Sequence, residues 1–229
     1  MTTKGGLPEK ERKEVTKGME TKSEMRVRPD ELRGTVDYLS EVSVLKRTPR
    51  AGWRFAGPPV EAEQDYVASH SFEVAQLAYI LGRMEGLKQV EALRSVGLAV
   101  FHDNDETRLP DRDKVTTHYL GIPRETFSEV LRDQISLLPK EIGEEIFELA
   151  MEANFEESPE AIIVRDADIL EASIQAKIFH ERGFTIPEDL LRRYLDSDRV
   201  QTRSAKRLMN ALRLRKDLAT RWLKGSLNV

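Results

Sequence analysis

The sequence predicts an all-α fold, because apolar residues recur every three or four positions in each long segment after residue 28. Hardly any stretch alternates apolar and polar residues as a half-buried strand would. Hydrophobic residues make up 39% of the 229-residue chain, which is enough to bury one substantial core. We therefore expect a single helical bundle over residues 29–229, in which the last helical segment forms a C-terminal extension.

The first helix is predicted from an apolar stripe near the start of the bundle. The stripe consists of Leu32, Val36, Leu39, Val42 and Leu45. Residues 46–69 come next, and their prolines and glycines interrupt regular structure. We expect this segment to be a long loop with a functional role.

Helical periodicity then returns and continues to the end of the chain. The first of these helices is expected to begin at Ser69 as its N-cap. The predicted helices span residues 69–84, 89–103, 124–138, 139–154, 159–182, 187–196 and 199–223. The helix over 89–103 is more apolar than the one before it and ends in a polar cluster.

Composition and charge limit the location and the partners of the protein. The formal net charge of -4 does not indicate a molecule that binds nucleic acid or a membrane surface as a whole. The absence of cysteine excludes disulfides and thiolate chemistry and fits a reducing compartment. No segment approaches the roughly 20 apolar residues of a membrane span, so we expect a soluble, cytoplasmic protein without a membrane partner. Residues 1–28 contain few large apolar side chains and are predicted to form a disordered tail.

The stretch LAVFHDNDETRLPD, residues 98–111, ends an apolar helix in a group of ligand-type side chains. An imidazole and a carboxylate, as in His102 and Asp103, suit a divalent ion, but two ligands alone would hold it weakly. His70 lies at the start of the preceding helix, which antiparallel packing would bring beside the end of the next one. Asp166 and Asp168 lie in the segment VRDADILEA and could either bind an ion or cap their own helix.

Four segments together resemble the HD-domain phosphohydrolases, and within them the 5′-deoxynucleotidase-like group. They are LKRTPRAGW (45–53), VASHSFEVAQLAYIL (67–81), GLAVFHDNDET (97–107) and DADILEA (166–172). The resemblance covers about residues 32–185 and implies an HD-domain helical bundle that binds one divalent metal. It implies His70, His102, Asp103 and Asp168 as the metal ligands and leaves Asp166 as a helix cap.

The same resemblance implies roles for residues around the metal. Glu106 would handle the proton of the attacking water, and Asp111 would face the nucleotide. The loop before His70 offers several cations, and guanidinium groups suit phosphate oxygens. Arg47 and Arg50 are expected to bind the phosphate and Trp53 to pack on a sugar or base, although each could instead be a solvated charge or, for Trp53, a core anchor.

The resulting hypothesis is a metal-dependent enzyme that releases phosphate from nucleoside 5′-monophosphates, most of all deoxynucleotides. Its metal could be Mn, Co, Ni, Fe, Zn or Mg. The same ligands would also suit a phosphodiesterase or a hydrolase of other nucleotides, because they do not determine the leaving group. The family resemblance further implies a homodimer.

A different class of function is a nucleic-acid-binding helical protein. Residues 190–229 carry eleven Lys or Arg against three Asp, and such a stretch could follow a nucleic-acid backbone. More often it is the solvated face of a helix, and the apolar spacing of Leu208, Leu212, Leu214, Leu218 and Trp222 equally fits docking on the bundle or on a dimer partner. We therefore do not expect a nucleic-acid partner.

Overall fold

The computed structural model describes residue 25, residues 27–59 and residues 65–220. Most of the predicted N-terminal tail, and Trp222 of the predicted last helix, lie outside the described residues.

The described residues form an all-α fold, as predicted. Pro49 and Tyr66 form an isolated β-bridge, and no β-strand occurs in these parts of the chain. The α-helices are α1 (Pro29–Val42), α2 (Val67–Met84), α3 (Gln89–Phe101), α4 (Lys114–Tyr119), α5 (Arg124–Ile135), α6 (Lys140–Phe155), α7 (Pro159–Glu181), α8 (Glu188–Tyr194) and α9 (Arg203–Leu214). Short 3₁₀ helices span Ser43–Arg47, Ala51–Phe55, Asn104–Thr107 and Ser197–Arg199.

The main core lies between α2, α3 and α7, and α6 and α9 cover its sides. Its large side chains are almost completely buried: Val74 and Leu81 in α2, Leu98 in α3, Leu170 in α7 and Met209 in α9. Burial of one such side chain contributes about 1.5–3 kcal/mol to folding. Because α2, α3 and α7 share this core, residues near one end of each helix are held close together.

Helix α2 begins two residues earlier than predicted, and Ser69 is not its N-cap. The N-cap is Tyr66, and Ser69 is the third helical residue. The Ser69 hydroxyl accepts a hydrogen bond from the backbone N–H of Tyr66 at 3.2 Å, so it closes the first turn from inside the helix. His70 consequently lies within the helix, and its side chain is fully buried.

The prediction that Asp166 caps its own helix was wrong. Helix α7 begins at Pro159, with Ser158 as its N-cap, so Asp166 lies in the third turn. The buried carboxylate of Asp166 instead accepts hydrogen bonds from the backbone N–H groups of Gln201 at 2.8 Å and Thr202 at 2.7 Å. Asp166 of α7 thereby binds the residues that directly precede α9.

The last predicted helix is shorter than expected, because α9 ends at Leu214. The Lys177 ammonium group donates hydrogen bonds to the carbonyls of Leu212 at 2.6 Å and Arg213 at 3.3 Å, and also to that of Arg215. The Leu212 carbonyl also accepts a hydrogen bond from the Arg215 backbone N–H at 3.1 Å, so Lys177 of α7 caps the C-terminal end of α9 together with the backbone. Met209 and Leu212 of α9 face the core, which favours the docking interpretation of the basic segment.

Helix α4 was not predicted. Asp113 is its N-cap and accepts hydrogen bonds from the backbone N–H groups of Val115 and Thr116, both at 2.9 Å. With only six residues and no buried side chain, the helix has no apolar stripe that periodicity could detect.

The described helices include none long and apolar enough to cross a lipid bilayer.

Asp166→Ala should lower the free energy of unfolding by about 1.5–3 kcal/mol, because a charge-assisted pair of hydrogen bonds is lost. Asp189→Ala, in the exposed first turn of α8, is the control and should change it by about 0.5 kcal/mol or less. Urea unfolding followed by circular dichroism measures both values. Equal unfolding midpoints for the two variants would contradict the role assigned to Asp166.

Candidate metal centre

Four of the residues predicted to bind metal meet at one end of the α2–α3–α7 core. His70 lies in the first turns of α2, and His102 directly follows the last residue of α3. Asp103 is the next residue, and Asp168 projects from the middle of α7. His70 and His102 are buried, while the Asp168 side chain remains 42% exposed. The cluster is therefore open to solvent on the side of Asp168.

The donor atoms of these residues are close enough to share one ion. Nε2 of His70 lies 3.2 Å from Oδ1 of Asp168 and 3.6 Å from Oδ2 of Asp103, and Nε2 of His102 lies 3.2 Å from the same Asp103 oxygen. One ligand atom each of His70, His102 and Asp168 lies within 4.8 Å of the others. Two imidazole nitrogens and carboxylate oxygens suit a divalent transition metal.

The other ring nitrogens of the two histidines are held by the protein. Nδ1 of His70 donates to a Glu171 carboxylate oxygen at 2.5 Å, and Nδ1 of His102 donates to the Ala99 carbonyl at 2.7 Å. In the neutral rings this arrangement leaves the lone pair on Nε2. Both Nε2 atoms are buried without a hydrogen-bond partner among the described residues. Buried nitrogens aimed at one point without a partner fit a bound metal ion.

Without a cation, the cluster would hold a proton instead. Burial and the charge of Arg50 lower the pKa of His70, but the carboxylates of Asp168 and Glu171 outweigh them and raise it to about 10. Burial alone would raise the pKa of Asp168, yet nearby His70 and Arg50 keep it below its ordinary value. An incoming metal ion must displace the proton on His70, so metal affinity should increase with pH up to that value.

Arg50 lies beside the same carboxylates. Its guanidinium group is 3.5 Å from Asp103, 3.7 Å from Asp111 and 3.8 Å from Asp168. Burial opposes its charge, but these three acids raise the pKa of Arg50 above its ordinary value. The structure thus brings Arg50 to the cluster, where it balances negative charge.

Glu106 and Asp111 complete the acidic surroundings. Glu106 is 7% exposed, and its Oε2 atom has no hydrogen-bond partner in the described chain. Burial, followed by the charges of Asp103 and Asp111, raises the pKa of Glu106 to about 11. Asp111 accepts a hydrogen bond from the backbone N–H of Ala51 at 2.5 Å and so fastens the 51–55 helix to the cluster.

Comparison with known proteins decides the family. The sequence matches the HD domain family over residues 42–208, which is most of the chain. The chain belongs to the HD domain family. The matched region contains all four residues predicted to bind metal, and it extends from the last residue of α1 to the first half of α9.

Relatives of this HD domain include proteins named 5′-deoxynucleotidase. The chain is 30% identical to the one from Schizosaccharomyces pombe over 163 residues, which cover 68% of this chain and 76% of the relative. It is 26% identical to the one from Dictyostelium discoideum over 173 residues, which cover 72% of this chain and 87% of the relative. A crystal structure from Pyrococcus horikoshii OT3 has the same fold, with a TM-score of 0.59, 24% identity and coverage of 79% of this chain and 99% of that one.

Two residues predicted to bind substrate lie away from the metal ligands of the HD domain. Arg47 is exposed and forms no ion pair with a described residue. Trp53 is 8% exposed, stacks on Tyr194 with ring centroids 5.5 Å apart and meets the edge of Phe179 at 5.2 Å. This packing supports the alternative of a core anchor for Trp53. The contacts of Arg47 and Trp53 with substrate stay predictions.

The sequence analysis missed Glu171, the residue that holds His70. The sequence contained a signal for this role, because Asp168 and Glu171 are three residues apart and therefore lie on the same face of α7.

The His118 side chain is exposed, and its ring contacts the ring of the neighbouring Tyr119 with centroids 4.8 Å apart.

Glu171→Gln should weaken Mn²⁺ or Co²⁺ binding by about 10- to 100-fold, because the partner that orients a metal-binding imidazole is weakened. The matched control is Glu73→Gln, which removes a nearby exposed carboxylate that lacks the hydrogen bond to His70. Isothermal titration calorimetry measures both affinities. Equal affinities for the two variants would show that nearby charge, and not the Glu171 hydrogen bond, matters.

Proposed function

We propose that this HD domain is a metal-dependent phosphohydrolase that releases phosphate from nucleoside 5′-monophosphates, most of all deoxynucleotides. The observation that carries the proposal is the pair of buried, unpartnered Nε2 atoms of His70 and His102, which face the carboxylates of Asp103 and Asp168. The names of the 5′-deoxynucleotidase relatives support the same substrate class.

His70, His102, Asp103 and Asp168 would hold one divalent ion. The ion would act as a Lewis acid and lower the pKa of water, the established roles of such metals in hydrolysis. In the described parts of the chain, one cluster of His and acidic side chains has the spacing of a metal site. This supports a single-metal enzyme and favours monoesters over diesters, many of which are cleaved with two metals about 4 Å apart.

Glu106 is proposed to transfer the proton of the attacking water. Its buried Oε2 atom has no competing hydrogen bond from any residue that the structure describes. The carboxyl group is neutral near pH 7 when Asp103 and Asp111 are uncompensated, because they contribute to its raised pKa. A divalent cation would offset those charges and lower the pKa of Glu106 toward neutrality, where a group can both accept and return a proton.

Arg50 and Asp111 are proposed to organise the substrate side of the centre. Asp111 holds the backbone of Ala51 and so positions Arg50 among the carboxylates. A substrate phosphate that approaches the ion would meet the Arg50 guanidinium group, whose donors suit phosphate oxygens. The predicted nucleotide contact of Asp111 is retained in this proposal.

The activity test is phosphate release from a panel of deoxynucleoside and nucleoside monophosphates, diesters and triphosphates with Mn²⁺, Co²⁺, Ni²⁺, Fe²⁺, Zn²⁺ or Mg²⁺. We expect turnover of 5′-monophosphates. Glu106→Gln should lower kcat by about 10²- to 10⁴-fold, the usual contribution of a positioned acid or base, while metal analysis still finds the ion. Asp103→Ala should lose both the activity and the bound ion.

Glu129→Gln, on the exposed face of α5, is the control and should retain full activity. Absence of turnover with every combination of nucleotide and metal would contradict the proposed function. Preferential turnover of diesters or triphosphates would instead identify one of the alternative substrates.

We also propose that the protein forms a homodimer, as the family resemblance implies. Support comes from a groove of about 490 Å³ between α1, α2 and α3, which is lined by Leu39, Phe72 and Val100. Leu39 is 60% and Phe72 66% exposed, although both are large and apolar.

Light scattering should give twice the mass of one chain, and Phe72→Asp should give the mass of one chain. The control is Val90→Asp, which places the same charge on an exposed residue that does not line the groove. A wild-type protein with the mass of one chain at micromolar concentration would contradict the dimer.

The proposed setting is the cytoplasm, and its support is the cysteine-free sequence.

A further inference from the structure

The arginines of the loop before α2 supply little free positive charge at the metal centre, although Arg50 can contact a phosphate there. Arg50 lies among the carboxylates of the metal centre. Arg54 forms an ion pair with Asp113 at 2.8 Å. Arg47 is exposed and has no ion pair with a described residue. A metal ion with two neutral imidazoles and two carboxylates has little net charge, so a phosphate dianion needs positive charge from another part of the protein.

A second cavity has three cations in its wall and is lined on one side by residues of the 51–55 helix. It has a volume of about 300 Å³ and lies between the 51–55 helix, the start of α4 and the end of α8. We call it the cationic pocket and define it by Phe55, Lys114, Arg193, Tyr194 and Arg199. Phe55 is 58% exposed, which is unusual for a side chain of this size outside a binding surface.

The three cations are not neutralised by the protein. Lys114, Arg193 and Arg199 form no ion pair with a carboxylate of the described residues. Asp113 also lines the cavity, but its carboxylate already accepts hydrogen bonds from Arg54, Val115 and Thr116. Burial, followed by the charges of Arg199 and Arg193, lowers the pKa of Lys114. Mutual repulsion of this kind is relieved when an anion binds.

Two structural links connect the cationic pocket with the metal centre. The wall of the pocket includes Gly52, which follows Ala51, and the Ala51 N–H group donates to Asp111. Tyr194, also in the wall, stacks on Trp53 of the same 51–55 helix. The pocket is therefore built on the helix that Asp111 fastens to the metal centre.

We propose that the cationic pocket binds the nucleotide, with Lys114, Arg193 and Arg199 recognising a phosphate group. The exposed Phe55 side chain provides the aromatic surface for the base or sugar, and Tyr194, which stacks on Trp53 and lies under the Arg199 guanidinium group, supports that arginine. This inference rests on the proposed function and specifies where its substrate binds. The phosphate that they recognise is the one that is cleaved.

Single substitutions of the three cations test the pocket. Lys114→Gln, Arg193→Gln and Arg199→Gln should each raise KM for a deoxynucleoside 5′-monophosphate by about tenfold, with kcat changed by about twofold or less, because the lost interaction stabilises bound substrate and transition state alike. Arg192→Gln is the matched control. Arg192 precedes Arg193 on the same helix but pairs with exposed Glu188 and does not line the pocket.

A binding measurement separates this inference from the proposed activity. Calorimetric titration of the deoxynucleoside monophosphate into metal-loaded Glu106→Gln protein should show about tenfold weaker binding when Arg199→Gln is added, and unchanged binding when Arg192→Gln is added. If wild-type protein hydrolyses no nucleotide, the proposed function fails, and this titration still decides whether the pocket binds one. Equal affinities of all variants for the deoxynucleoside monophosphate would contradict the proposal that the cationic pocket binds it.

The phosphate that the three cations recognise is tested by comparing a deoxynucleoside 5′-monophosphate with its 3′,5′-bisphosphate. Because the proposal assigns them the cleaved 5′-phosphate, each substitution should raise KM for both compounds to a similar extent. A KM that rises only for the bisphosphate would show that they recognise a different phosphate and would contradict the proposal. Unchanged KM values for both compounds in an active enzyme would contradict the proposal.

Discussion

The close packing of α2, α3 and α7 is the constraint on which the metal centre depends. Ala78, Ala99 and Ala167 are completely buried where these helices meet, and such small side chains allow a close approach. The distance between donors from three distant parts of the chain is therefore fixed by the apolar core. Donors carried by packed helices are held more precisely than donors carried by loops, which applies here to His70 and Asp168.

The buried carboxylic acids of this centre lower the stability of the fold. Glu106 and Asp105 are buried, and their pKa values are raised to about 11 and about 7, with burial as the first cause and Asp103 as the next for each. A fold selected for stability alone would place apolar residues there. Two guanidinium groups balance part of the negative charge: Arg50 lies beside Asp103 and Asp111, and Arg112 lies 3.6 Å from Asp105. A divalent cation is the natural complement of the remainder, so the acidic cluster and the unpartnered imidazoles support the same site.

The loop before α2 links the centre to the surrounding surface. Trp53 packs on Phe179 of α7 and Tyr194 of α8, while its indole N–H donates to Asp65 at 3.0 Å. Asp111 fastens the neighbouring Ala51. The packing of Trp53 and the hydrogen bond between Ala51 and Asp111 together hold the segment that carries Arg50. Trp53, which is predicted to meet substrate, thus also anchors the segment that carries Arg50.

The sequence by itself determined the helical class, the position of most helices and the identity of the four residues proposed to bind metal. The periodicity of apolar residues in α2, α3 and α7 is a local property of each segment. His70 lies near the start of α2, and His102 and Asp103 follow the end of α3, so antiparallel packing of these two helices brings the three residues together. Tertiary structure alone decided that Asp166 holds α9, that Lys177 caps its end and that Glu171 orients His70. It also placed Lys114 beside Arg193 and Arg199, which are about 80 residues later in the chain. Such contacts depend on how helices pack, and no local pattern of residues specifies a partner so far away in sequence.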